Sequence, residues 1–127
     1  MDDPRSLITT RQWFEAHEAV EDLWREAEGT RRRHLQGLIH ILVSLEHLRR
    51  KNPRGCRGQW EKAQRRLIDV PPRFAGLEIE RWMEALEVFY AGLDLESAAR
   101  NRSFSLPLPE IESWPTPALA ADNSTMK

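Results

Sequence analysis

The sequence predicts an all-α fold: a small bundle of four to five mostly antiparallel helices, followed by a proline-rich C-terminal strap. Three observations predict it. Apolar residues recur with the helical period almost throughout, and no short stretch alternates as a half-buried strand would. The segment LQGLIHILVSLEHL is apolar nearly all round, which suits a helix in the middle of a bundle. Helix-starting and helix-stopping residues, among them Thr9, Gly29, Pro53, Pro71 and Gly92, divide the chain into pieces of helical length.

The first long helix is expected from Thr9 or Thr10 to near Gly29. TTRQ offers a Thr-x-x-Gln capping box between Thr9 and Gln12, and the apolar line is Trp13, Ala16, Val20, Leu23, Trp24 and Ala27. The second helix is expected from about Arg31 to Lys51. Asn52 and Pro53 then supply an N-cap and a tolerated first-turn proline for a third, over about 53–68. Its buried line is Cys56, Trp60, Ala63 and Leu67, and Pro71-Pro72 ends it. A fourth, about 77–92, presents Ile79, Trp82, Met83, Leu86, Phe89 and Tyr90. LESAARNR adds a short helical turn. FSLPLPEIESWPTP holds too many prolines to continue it and is read as an extended strap over about 103–117. Phe104, Leu106, Ile111 and Trp114 would pack it on the bundle or on a partner chain, and 118–127 would fray. The expectation is a single domain over 1–127 with its core at about 8–93.

At 127 residues the chain can bury roughly two thirds of its unfolded surface, so it needs no staples. No apolar run approaches the ~18 residues that cross a bilayer, and no contact with membrane is expected. The acidic N-terminus lacks the basic and apolar parts of a secretory leader, so the expected location is cytoplasmic. Cys56 is the only cysteine, which excludes an internal disulfide and a thiolate-rich zinc cluster. Charge is segregated: −5 over residues 1–30, +9 over 31–66 and −5 over 67–127. Arg31, Arg32, Arg33, Arg49, Arg50 and Lys51 would form the footprint of a nucleic acid or other polyanion. A pI near 6.4 favours the plainer alternative, in which basic helices lie beside acidic ones within the fold or across a homo-oligomer.

The polar residues are not scattered. In WFEAHEAVEDLW, His17, Glu21 and Trp24 stand at i, i+4 and i+7 on one stripe, with Glu18 a column outward. On the second helix Gln36, His40, Ser44 and His47 form one polar line. Buried polar groups need partners, so the two lines predict a polar seam between the first two helices. Three readings fit it: a structural His–Glu pair, acid–base catalysis, or a divalent metal (zinc, manganese or iron) on His17, Glu21, His47 and also His40. The chain lacks His-Glu-x-x-His, since Glu21 stands in the last place, and it lacks the paired Glu-x-x-His of di-iron bundles. The pair requires least.

Four further residues invite expectations. Gly37 in mid-helix implies a close helix contact, with Trp13 or Trp24 as the expected neighbour. Cys56, between Arg54 and Arg57, is read as a small core residue rather than a reactive thiol. The run Arg31 to Arg33 before His34 opposes the dipole of the helix it opens, so Glu26, Glu28 or a partner should compensate. The tryptophans are read as core.

FEAHEAVEDLW, LQGLIHILVSLEHL and NPRG, in that order, resemble domain of unknown function family 309, small helical proteins of bacteria, archaea and plastids. The resemblance covers about residues 8–68. By position it carries over Glu15, His17, Glu18, Glu21, Trp24, Gln36, Gly37, His47, Asn52 and Gly55. The chain departs at His40, where the family tends to have Gln, at Glu46, where an aromatic is usual, and at Cys56, where Ala is usual. The resemblance implies a helical fold and points to the His17/His47 seam, and it implies no activity. Three function classes follow: an interaction or structural module, which explains the sequence with fewest assumptions, a metal-dependent or acid–base enzyme, and a polyanion binder.

Overall fold

The computed structural model describes residues 3–100 and 108–120. Phe104, Leu106 and 121–127 lie outside them. Among the described residues six α-helices follow one another: α1 (Pro4–Thr9), α2 (Trp13–Glu26), α3 (Gly29–Arg49), α4 (Pro53–Arg66), α5 (Ile79–Gly92) and α6 (Leu95–Arg100). A single turn of 3-10 helix lies at Ile111–Ser113. The fold is all-α, and among the described residues the only β-pairing is in isolated bridges.

TTRQ does not open the first long helix as expected; it separates α1 from α2. Asp3 caps α1, its carboxylate accepting the Arg5 N–H at 2.9 Å, with Pro4 in the first turn. The Thr9 and Thr10 hydroxyls donate back to the Ser6 carbonyl and close α1. Gln12 donates to the Thr10 hydroxyl at 2.8 Å, so no capping box forms. Arg11 turns the chain at φ 61.

α3 is the central helix. Leu35, Leu38, Ile41, Leu42, Leu45 and Leu48 are at most 1% exposed, and they join side chains from Leu7 to Trp114 in one apolar cluster. Both neighbours run antiparallel to it. Gly37, in the first half of α3, meets Leu67 just past the end of α4, while His47 near the end of α3 meets Gly55 at the start of α4. Likewise Arg32 lies over Trp24 at the end of α2, and His47 shares a cleft with Phe14 and His17 at its start.

The Gly37 contact is with α4, not with Trp13 or Trp24. A Cβ there would stand 2.4 Å from Leu67 Cγ and 3.1 Å from Arg66 Cβ, so the glycine lets α3 and α4 approach closely. Leu23, expected on the buried line of α2, is 42% exposed.

After α4 the chain makes a tight turn. Ala75 and Gly76 both have positive φ, and Phe74 and Leu77 exchange backbone hydrogen bonds across them. Leu77 pairs in turn with Leu119, the Glu78 N–H donates to Ala118, and the Ala120 N–H donates to Gly76. Residues 118–120, expected to fray, are therefore paired with this turn. Just before them Trp114 is 2% exposed, its indole N–H donating to the Pro109 carbonyl. The Trp82 indole donates to the Pro115 carbonyl, and the Arg11 guanidinium to that of Trp114.

Candidate functional site

The two polar lines of the sequence do not form one seam. His17 Nδ1 donates to the Phe14 carbonyl of its own helix at 2.9 Å, and Nε2 stands 3.6 Å from Glu21, which is an ion-pair distance only if the ring is protonated. On α3, His40 turns to α4, where Nδ1 meets Gln59 Oε1 at 2.7 Å. Burial, reinforced by Lys62, Arg66 and Arg65, lowers the pKa of His40. Its Nε2 is buried without a partner among the described residues. Ser44 turns to α5 and bonds the Tyr90 hydroxyl at 2.7 Å. Gln36 makes no hydrogen bond among the described residues, and Glu15 and Glu18 are exposed. Among those residues, no three His, Cys, Asp or Glu side chains are grouped to hold a metal ion.

What the structure does bring together is His17 and His47. They line a cleft of about 190 Å³ with Phe14, Val43, Glu46 and Arg50. His47 is held from α4: Asn52 caps that helix, its Oδ1 accepting the Gly55 N–H at 3.1 Å, and its Nδ2 lies 3.0 Å from His47 Nδ1. A Cβ on Gly55 would fall 2.7 Å from His47 Nδ1 and 2.6 Å from Asn52 Nδ2. His47, Asn52 and Gly55 are thus one unit: the ring lies over the first turn of α4, and only glycine leaves room for it. Glu46 receives Arg49 at 2.6 and 2.9 Å and Arg50 at 2.8 Å, which lowers its carboxyl pKa, Arg49 chiefly. Sequence reasoning passed over Glu46 because it breaks the family pattern; its arginines at i+3 and i+4 were the available signal.

The basic residues are largely engaged within the fold. Arg32 lies 3.8 Å from the Trp24 ring centroid and reaches the Trp24 and Ala27 carbonyls, so this cation sits at the C-terminus of α2, where the dipole favours it. Arg31 lies over Phe74. Arg33 forms a fork with Asp69, which also bonds His34; Arg33 first, then His34, holds the Asp69 carboxyl far below the usual range. Compensation therefore comes from Asp69 and the end of α2 rather than from Glu26 or Glu28. Lys51 is exposed at φ 60. Cys56 is fully buried, and burial pushes its thiol up to about 12, as befits a core residue. Four of the five tryptophans are buried and Trp24 is half-buried.

On the far side of α4 the packing is looser. Trp60, Tyr90, Leu67 and Met83 separate α4 from α5, and two clefts of about 420 and 250 Å³ open between them. Both are lined by Trp60, Gln64 and Glu87, so they form one groove. Its floor is apolar, and Ile68 at its edge is 84% exposed. Glu80, Glu84 and Glu87 follow one another at i, i+4 and i+7 along α5, with Asp94 beyond. None of these four makes an ion pair among the described residues, whereas Glu61 and Glu96 are paired with Arg57.

Fold and site define a small helical module with a histidine-lined cleft at one helix junction and an acidic groove at another. Residues 2–59, a little under half of the chain, match the family model described as Domain of unknown function (DUF309). The chain is also 30% identical over 105 residues to the "Uncharacterized protein YpuF" of Bacillus subtilis (strain 168). That alignment covers 80% of this chain and 59% of the relative, so the chain spans little more than half of that protein. No solved structure gives a significant match. Among the described residues no helix is long and apolar enough to cross a membrane.

Proposed function

We propose that the protein is a cytoplasmic interaction module whose α4/α5 groove receives a basic, amphipathic helix of a partner protein. One observation carries the reading: an apolar floor continues between α4 and α5 beneath four carboxylates that nothing in the described chain neutralises. Like charges left together raise the free energy of the empty groove, and lysines or arginines of a partner would relieve it. The 14 residues of α5 give the groove a length of about 20 Å, matched by roughly four turns of a docked helix. An amphipathic helix would set its apolar face on Trp60, Met83 and Ile68 and its basic flank along Glu80, Glu84 and Glu87. Cytoplasmic placement accords with a lone thiol buried and unpaired.

The test is titration with a synthetic helical peptide of leucine and lysine in amphipathic register, followed by tryptophan fluorescence. Binding should be saturable and weaken with salt, and Glu80→Gln/Glu84→Gln/Glu87→Gln should weaken it at least about tenfold without altering thermal stability. A glutamate-for-lysine peptide should not bind. Equal binding of both peptides, or no binding at low salt, would overturn the reading.

A further inference from the structure

We infer that the cleft between the start of α2 and the end of α3 binds a small carboxylate with a short apolar body, gripped by Arg50 and by the Nε2–H of His47. This site is separate from the α4/α5 groove and does not rest on it.

The proton position on His47 follows from the cap of α4. Asn52 Oδ1 is identified as the oxygen because it accepts the Gly55 N–H, so the atom facing His47 is the amide nitrogen Nδ2. An amide NH₂ only donates. His47 Nδ1 therefore accepts, and the neutral ring carries its proton on Nε2. That atom makes no hydrogen bond among the described residues, yet it is not among their buried unpartnered atoms, so it remains open to the cleft. His17 has the opposite tautomer: Nδ1–H donates to the Phe14 carbonyl, leaving the Nε2 lone pair outward. A metal bridging the two rings through Nε2 needs a lone pair on both, and His47 offers a proton instead.

The remaining lining favours an anion. Glu46 is already shared between two arginines, so the three together carry a net positive charge. Arg50 binds Glu46 through Nε, and its terminal nitrogens make no bond among the described residues. A guanidinium edge beside an imidazole N–H suits a planar carboxylate, which accepts two bonds from one side. Phe14 and Val43 supply apolar contact for a few carbons, and about 190 Å³ limits the ligand to a short chain. His17 Nε2 adds one acceptor, which a hydroxyl on the ligand would satisfy.

The test uses the ¹⁵N-labelled full chain with butyrate as probe, read by long-range imidazole spectra and by the Val43 methyls. The expected result is His47 in the Nε2–H form, His17 in the Nδ1–H form, and saturable shifts of His47 Nε2 and Val43 with butyrate but not with butylamine. Arg50→Gln, at a side chain 61% exposed and so safe for folding, should weaken binding at least about tenfold. An Nδ1–H form of His47, no saturable shift, or unchanged affinity in Arg50→Gln would each overturn the inference. So would inorganic phosphate binding as well as butyrate, which would mark a mere anion patch, or Zn²⁺ binding at both histidines.

Discussion

The two sides of α4 are packed by opposite means. Toward α3 the helices close on small residues: Gly37 receives Leu67, and Gly55 receives the His47 ring. Toward α5 the gap is set by Trp60 and Tyr90, whose ring centroids lie 5.3 Å apart edge to face, and a groove remains open beside them. A glycine contact leaves no space that a ligand could enter, whereas large aromatic spacers hold helices apart and leave one. The motif residues His47, Asn52 and Gly55 lie on the closed side, and the unneutralised carboxylates of α5 on the open one.

The largest expected effect tests what holds the open side together. Trp114 fills the space beside Phe89, with ring centroids 5.7 Å apart, and Trp114→Ala should cost about 3–5 kcal/mol in urea unfolding. A loss below about 1 kcal/mol would mean that α5 stands without the C-terminal segment. Next comes the closed side itself. Gly37→Ala should destabilise by about 1–3 kcal/mol despite its better helix propensity, and Leu67→Ala in the same chain should recover part of that loss. Gly58, also on α4, has open space where a methyl would stand, with no neighbouring atom within 4 Å, so Gly58→Ala should stabilise by about 0.5–1 kcal/mol. Equal signs for the two glycines would break the comparison.

A smaller effect sharpens it. His47→Ala strips Asn52 of a partner and should cost about 1 kcal/mol, while His17→Ala, whose ring bonds only within its own turn, should cost less than about 0.5 kcal/mol. No hydrogen bond joins the rings, so the double mutant should be additive within about 0.5 kcal/mol, and clear non-additivity would restore the seam.

The smallest effect concerns acid. Asp69 has a folded pKa below its unfolded one because Arg33 and His34 bond its carboxylate. The stability it contributes is fully present above the unfolded value of about 4 and is lost as pH falls below it. Asp69→Asn should therefore flatten the acid limb of a stability–pH curve below about pH 4 and leave its shape near neutrality unchanged.

Much of this molecule was legible in its residues. The helical period, Asn52-Pro53 and Gly92 fixed α3, α4 and α5 to within two or three residues, and the all-round apolar character of LIHILVSLEHL identified the central helix. These are local properties, since propensity and capping act within one turn or two. TTRQ misled because a Thr-x-x-Gln pattern suits either end of a helix until something decides which carbonyls need donors, and the Ser6 carbonyl did.

Which polar side chains would meet was settled only by tertiary packing. Gln36, His40, Ser44 and His47 share a stripe on α3, yet His40 finds Gln59 on α4, Ser44 finds Tyr90 on α5, and His47 stands at the mouth of a cleft beside His17. A stripe several turns long around a central helix passes more than one neighbour, and helical periodicity gives the angle at which a side chain leaves the axis without naming the helix that stands there. The sequence by itself determined α3, α4 and α5, the central place of α3 and the glycines that close packing needs; the antiparallel placement of α2 and α4 against α3, with Tyr90 of α5 reaching Ser44, decided that two histidines would share a cleft and that a third would not.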